Sequence, residues 1–166
     1  TTSDDPYEGR IVRSEPPRVA RNLAMIHTAM FDAVNAIEGD YQPYLVGLEA
    51  QPNASPEAAA AAAAYRVASY LYPEADEMAH WNASLAESLA SIPDGNAKER
   101  GIVFGNSVGD AMLAARADDG STAEVTYTPG DEPGDWRRTL PGYLPPLLLQ
   151  WRYVEPFAIE SPEQYR

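Results

Sequence analysis

Residues 55–71 read Ser55-Pro56-Glu57-Ala58-Ala59-Ala60-Ala61-Ala62-Ala63-Ala64-Tyr65-Arg66-Val67-Ala68-Ser69-Tyr70-Leu71, and this stretch decides the fold class. Ser55 is a residue type that caps a helix N-terminus with its hydroxyl, and Pro56 carries the φ of a first helical position. The seven consecutive alanines that follow have the best intrinsic helix propensity. They also have little bulk, so a helix here can pack closely on several sides. Pro73 ends it, because proline lacks the amide that would continue the ladder.

The flanking segments share the helical period. Downstream, Met78, Trp81, Leu85, Leu89 and Ile92 recur at three- and four-residue steps and predict a helix over about 74–90, closed by the turn Pro93-Asp94-Gly95. A further helix over about 96–117 carries Gly101, Gly105 and Gly109 at strict four-residue spacing. Each glycine costs ~1 kcal/mol of helix propensity relative to alanine, so three on one face predict a close backbone approach there. Upstream, Pro17 suits a first helical position, and Val19, Leu23, Ile26, Met30, Val34 and Ile37 form an apolar stripe running to about Ile37, before Gly39. Arg18, Arg21, Thr28, Asp32 and Asn35 form a polar stripe beside it, which faces water or bonds a neighbouring segment. Residues 41–51 read as a linker.

The fold class is therefore all-α, a helical bundle of about four helices with a long proline-rich carboxy-terminal arm. Residues 1–16 read as an amino-terminal arm, 17–117 as the bundle segment, and 118–166 as a Pro-, Gly- and aromatic-rich arm. Seven of the 15 prolines and four of the 11 glycines fall in those last 49 residues. The prolines forbid a long helix or a central strand. A structureless stretch of that length is uncommon in a compact domain, so the arm is expected to lie on a surface, and Leu147-Leu148-Leu149 and Trp151 call for burial.

Composition narrows the function. The 166 residues hold 25 acidic and 12 basic side chains, a formal net charge of −13, and 45% are hydrophobic. A phosphate-neutralising nucleic-acid surface needs a basic patch, and this composition supplies none. Intrinsic disorder is excluded by the hydrophobic content. With no cysteine, thiol catalysis, disulfide scaffolds and cysteine-based metal sites are out. No run approaches the ~18 apolar residues of a membrane span. The four-residue glycine spacing also marks membrane helix pairs, but Lys98, Glu99, Arg100 and Asp110 beside it make a soluble close-packing groove the better reading.

Few residues offer chemistry. His27 lies one turn from Leu23 and Phe31 and reads as a buried or half-buried structural histidine, whereas His80 reads as a surface residue. Neither has a metal-ligand spacing. Asp4-Asp5, Asp118-Asp119, Asp131-Glu132 and Asp135 read as solvated turn carboxylates, since none fits a calcium loop. Asn53 and Asn82 each begin an Asn-x-Ser triplet, a pattern common by chance. No Gly-x-Ser-x-Gly elbow and no Walker loop is present. The sequence thus selects no catalytic, cofactor-binding or metal-ligating residue.

The order of short motifs carries a resemblance. Pro16-Pro17-Arg18-Val19-Ala20-Arg21, Ile26-His27-Thr28-Ala29-Met30-Phe31-Asp32-Ala33-Val34-Asn35-Ala36-Ile37 and Tyr41-Gln42-Pro43-Tyr44 come first. Tyr70-Leu71-Tyr72-Pro73, Ala114-Ala115-Arg116-Ala117-Asp118-Asp119-Gly120, Tyr127-Thr128-Pro129-Gly130, Pro133-Gly134-Asp135-Trp136-Arg137-Arg138-Thr139 and Pro156-Phe157-Ala158 follow. Together, from about residue 16 to the end, they resemble the amino-terminal half of the vanadium-dependent haloperoxidases. That family shares its helical-bundle fold with type-two phosphatidic acid phosphatases and bacterial acid phosphatases. Arg138 stands where the family usually has a proline.

The resemblance implies a scaffold half of a haloperoxidase-like or acid phosphatase-like enzyme. The family's oxyanion pocket uses a Lys with an Arg further along, a Ser-Gly-His turn, and an Arg followed by a His. This chain has no Ser-Gly-His, and Lys98 has no Arg at the family's distance. Vanadate or phosphate is therefore expected to bind to a carboxy-terminal half beyond Arg166 or to a second polypeptide, packed on the glycine face of the fourth helix and under the arm. This chain alone is not expected to be catalytic. A homo-oligomer is also compatible, and a secreted or periplasmic setting is favoured. The alternative reading, from a different class, is a non-catalytic helical binding or assembly subunit.

Overall fold

In the computed structural model, residues 15–165 are described. They form an all-α structure with helices α1 (Pro16–Glu38), α2 (Pro56–Leu71), α3 (Ala75–Ala90) and α4 (Asn96–Ala115), followed by a short 3-10 turn at Leu149–Tyr153. The chain divides into two compact units, with the boundary between Arg116 and Ala117. The arm expected over residues 1–16 lies, apart from Glu15 and Pro16, outside the described residues.

Local chemistry sets the helix limits. Two prolines open α1, and Gly39 closes it in a left-handed conformation (φ 77°) that a Cβ would strain, donating its amide to the Asn35 carbonyl at 2.8 Å. Ser55 caps α2 as its sequence predicts, its Oγ accepting the Ala58 amide at 3.1 Å. Helix α4 stops at Ala115, two residues short of the sequence expectation, and its last turn is closed by the Arg116 amide on the Met112 carbonyl at 3.1 Å.

Helix α2 is central to the first unit, packing against α1, α3 and α4. Its buried face is almost all alanine: Ala58, Ala59, Ala62, Ala63, Val67 and Ala68. Against it lies the glycine face of α4, with Gly101, Gly105 and Gly109 all buried. A Cβ on Gly101 would stand 2.5 Å from the Ser55 carbonyl oxygen, and one on Gly105 would stand 2.9 Å from the Ala59 Cα and closer still to its carbonyl oxygen. The expected close backbone approach is real, but α2 of the same chain makes it. The expectation that a second polypeptide packs on this face is thereby corrected: seven alanines had already supplied a surface flat enough to fill it.

A second correction concerns α1. Its buried residues are Asn22, Met25, Ala29, Asp32, Ala33 and Asn35, while Leu23 of the large apolar stripe is 50% exposed and Ile26, Met30 and Val34 are half-buried. Apart from Met25 the buried face is made of small and polar side chains: Ala29 and Ala33 allow close approach to neighbouring helices, and the polar groups find partners. Asn22 donates to the Tyr72 hydroxyl at 3.0 Å, and Asn35 exchanges two bonds with the Tyr41 backbone, at 2.7 and 2.8 Å. Arg21 donates to the Arg116 carbonyl at 3.0 Å, placing a cation at the negative end of α4.

Among its described residues the second unit has no α-helix, in keeping with its prolines. It is partly folded on itself rather than a bare arm: the Glu155 amide donates to the Asp119 carbonyl at 2.9 Å, and Gln150 donates to the Ser121 carbonyl at 3.2 Å. The Tyr127 hydroxyl accepts the Trp136 amide at 3.1 Å and donates to its carbonyl at 3.2 Å, with the two rings edge to face at 5.9 Å. Leu140, Leu144 and Leu147 nonetheless stand 74%, 71% and 75% exposed.

Candidate functional site

Three local arrangements in the first unit bear on function, beginning with a carboxylate. Asp32 is almost completely buried, and its two oxygens accept the backbone amides of Tyr44 at 2.6 Å, Leu45 at 3.0 Å and Val46 at 2.8 Å. Three converging N–H groups compensate a buried carboxylate. The Pro43–Val46 segment is thereby fastened to the middle of α1, so Asp32 is committed to the fold rather than available to a substrate. Of the two roles open to the polar stripe in sequence, bonding a neighbouring segment is the one Asp32 and Asn35 perform.

The second arrangement is a groove between α1, α2 and α3. A cavity of about 220 Å³ is lined by Ile26 and Met30 from α1, Ala61, Ala64, Tyr65 and Ala68 from α2, and Trp81, Ser84, Leu85 and Ser88 from α3. Toward the other end of α3 it shares Met30, Ala61 and Ser88 with a wider opening that Glu57, Ser91 and Pro93 also line. The lining is apolar with a few hydroxyls, suited to a hydrocarbon surface and lacking cationic side chains. Sequence periodicity placed Trp81 and Leu85 in a core stripe; what it could not reveal is that alanines opposite them are too small to close the space.

The third is the disposition of cations. Lys98 donates to Asp94 at 2.9 Å and to the Ile92 carbonyl at 3.2 Å, and the hydrogen bond to the Lys98 ammonium holds the Asp94 carboxyl below its usual range. Arg66 pairs with Asp110 at 2.6 Å, Arg18 with Glu15 at 2.6 Å, and Arg100 donates to the Pro52 carbonyl at 2.8 Å. Each is held by an acceptor of its own neighbourhood. An oxyanion such as vanadate or phosphate needs several cationic donors aimed at one point, and these side chains do not fit it.

The histidines stand apart from any such site. His27 is exposed on α1, contrary to the expectation of a buried structural role, because the buried face of the helix lies toward Met25 and Ala29. His80 is half-buried with its ring 4.9 Å from that of Trp81. Among the described residues no three His, Asp or Glu side chains lie where they could share a metal ion.

Of the turn carboxylates, Asp118, Asp131, Glu132 and Asp135 are exposed as expected, whereas Asp119 is buried, its Oδ1 accepting the Ser121 amide at 3.1 Å. Asp4 and Asp5 lie outside the described residues. Asn53 sits in a left-handed turn (φ 59°) and the exposed Asn82 accepts the Tyr65 hydroxyl at 2.7 Å. Among the described residues no helix is long and apolar enough to cross a membrane. Comparisons with protein-family models, curated proteins and solved structures find no match to this chain.

Proposed function

We propose that the chain is the scaffold portion of a vanadium-dependent haloperoxidase-like or acid phosphatase-like enzyme, whose oxyanion pocket is carried by polypeptide other than these 166 residues. The observation that carries the reading is the exposure of Leu140, Leu144 and Leu147 in a segment otherwise tied down by its own hydrogen bonds. Three leucines this exposed between positions 140 and 147 are apolar surface suited to a partner. The ordered series of motifs from Pro16 to Ala158 supplies the family, and the engagement of the local cations is why the anion chemistry is assigned elsewhere.

Halide-dependent bromination and phosphate-ester hydrolysis, assayed with and without vanadate, test this reading. One of the two activities is expected in the complete assembly and neither in this chain alone. The second reading, a non-catalytic helical assembly subunit, is supported by the same exposed leucines. It predicts that both activities are absent while the leucine surface is covered.

A further inference from the structure

We infer that α3 is a separately opening flap, which detaches from α2 while α1, α2 and α4 stay folded and so gates the apolar groove beneath it. Helices α1, α2 and α4 each bury six residues, and the 16-residue α3 buries none. Its apolar side chains Met78, Trp81, Leu85 and Leu89 reach only half-burial, and a cavity of about 220 Å³ is lined by Trp81 and Leu85 together with Ile26 and Met30 of α1. Local opening free energy follows buried apolar contact, so α3 is the element of this unit that opens first.

Two independent features act in the same direction. The Trp81 indole N–H is buried with no acceptor among the described residues, a cost that opening to water removes. The second is beyond the end of α3, where Gly95 takes φ 146°, a conformation a side chain would resist, so the connection to α4 holds a residue free to turn. Among the contacts that hold the flap closed are the solvent-exposed hydrogen bond from Tyr65 to Asn82 at 2.7 Å, the packing of Trp81 on Tyr72, whose ring centroids lie 6.1 Å apart, and, just beyond the helix, the bond from Lys98 to the Ile92 carbonyl at 3.2 Å. Opening bares Ala61, Ala64 and Ala68 together with the Trp81 ring, an apolar surface that the closed state partly covers.

Hydrogen exchange followed by mass spectrometry on the 166-residue chain tests the flap. Once detached, a 16-residue helix is marginal in water, so after correction for intrinsic rates α3 amides are expected to exchange at least ~100-fold faster than those of α2 and α4, by an opening with a smaller denaturant dependence than global unfolding. Tyr65→Phe is expected to speed α3 exchange by about two- to threefold while leaving α2 and α4 unchanged. Equal protection across the four helices would overturn the inference. So would a Tyr65→Phe chain in which α3 is unaffected, or in which α2 and α4 respond as strongly as α3.

Discussion

The carboxylate of Asp32 in α1 accepts the backbone amide of Val46 at 2.8 Å, and both residues are buried. With the Tyr44 and Leu45 amides on the same carboxylate, this one side chain determines where the segment after α1 returns to the helix. Replacing it leaves three amides without their acceptor. Asp32→Ala is expected to cost about 3 kcal/mol, and Asp32→Asn, which keeps one carbonyl oxygen, roughly half of that. Urea unfolding midpoints read the difference; an Asp32→Ala midpoint within error of the parent would contradict the anchoring role.

Gly105→Ala reverses an ordinary sign. In an exposed helix interior the change would add ~1 kcal/mol of stability. Here the new methyl meets the backbone of Ala59, which cannot rotate away, so overpacking dominates and a net loss of about 2 kcal/mol is expected. Thermal unfolding checks it, and a raised melting temperature would contradict the close approach of α4 to the Ala59 backbone.

Arg21→Met removes the guanidinium from the Arg116 carbonyl while keeping most of the apolar stem. A loss of about 1 kcal/mol is expected, partly screened by salt because the cation acts on the negative end of α4. Chemical denaturation at low and high ionic strength measures it; salt-independence would remove the dipole contribution from the account.

Glu57 lies in the first turn of α2, where the hydrogen bond from its own backbone amide and a second from the Ser55 hydroxyl hold its carboxyl below the usual range. A depressed carboxylate stabilises the folded state above its unfolded pKa and loses that contribution as pH falls through the lower folded value. Glu57→Gln should therefore be less stable at pH 7, by about 0.5 kcal/mol given its solvent exposure, with the gap closing below about pH 4. A gap that stays constant from pH 7 to pH 3 would rule out the ionised group as its source.

The helices were legible because their signals are local: Ser55-Pro56 at one start, Pro73 at one end, and apolar periods between. The glycine spacing at Gly101, Gly105 and Gly109 correctly signalled a close approach, but not which helix makes it, since that depends on long-range packing. The buried face of α1 was misplaced by the size of its apolar residues. Leu23 outranks Ala29 in hydrophobicity, yet Ala29 is the one that is fully buried. Which of the two roles Asp32 plays, facing water or bonding a neighbouring segment, stayed open in the sequence because the amides that compensate it come from a segment 12 to 14 residues away. The groove was invisible for a related reason: a void is set by what alanines leave unfilled across three helices.

The proposed scaffold role, in which these helices support an oxyanion pocket carried by other polypeptide, is open to vanadium-51 NMR of orthovanadate, recorded with this chain alone and with the complete assembly. A broadened, shifted protein-bound resonance is expected with the assembly and an unchanged free-vanadate spectrum with the chain. Saturable binding to the chain alone, or an assembly that leaves the vanadate spectrum unaltered, would contradict the role.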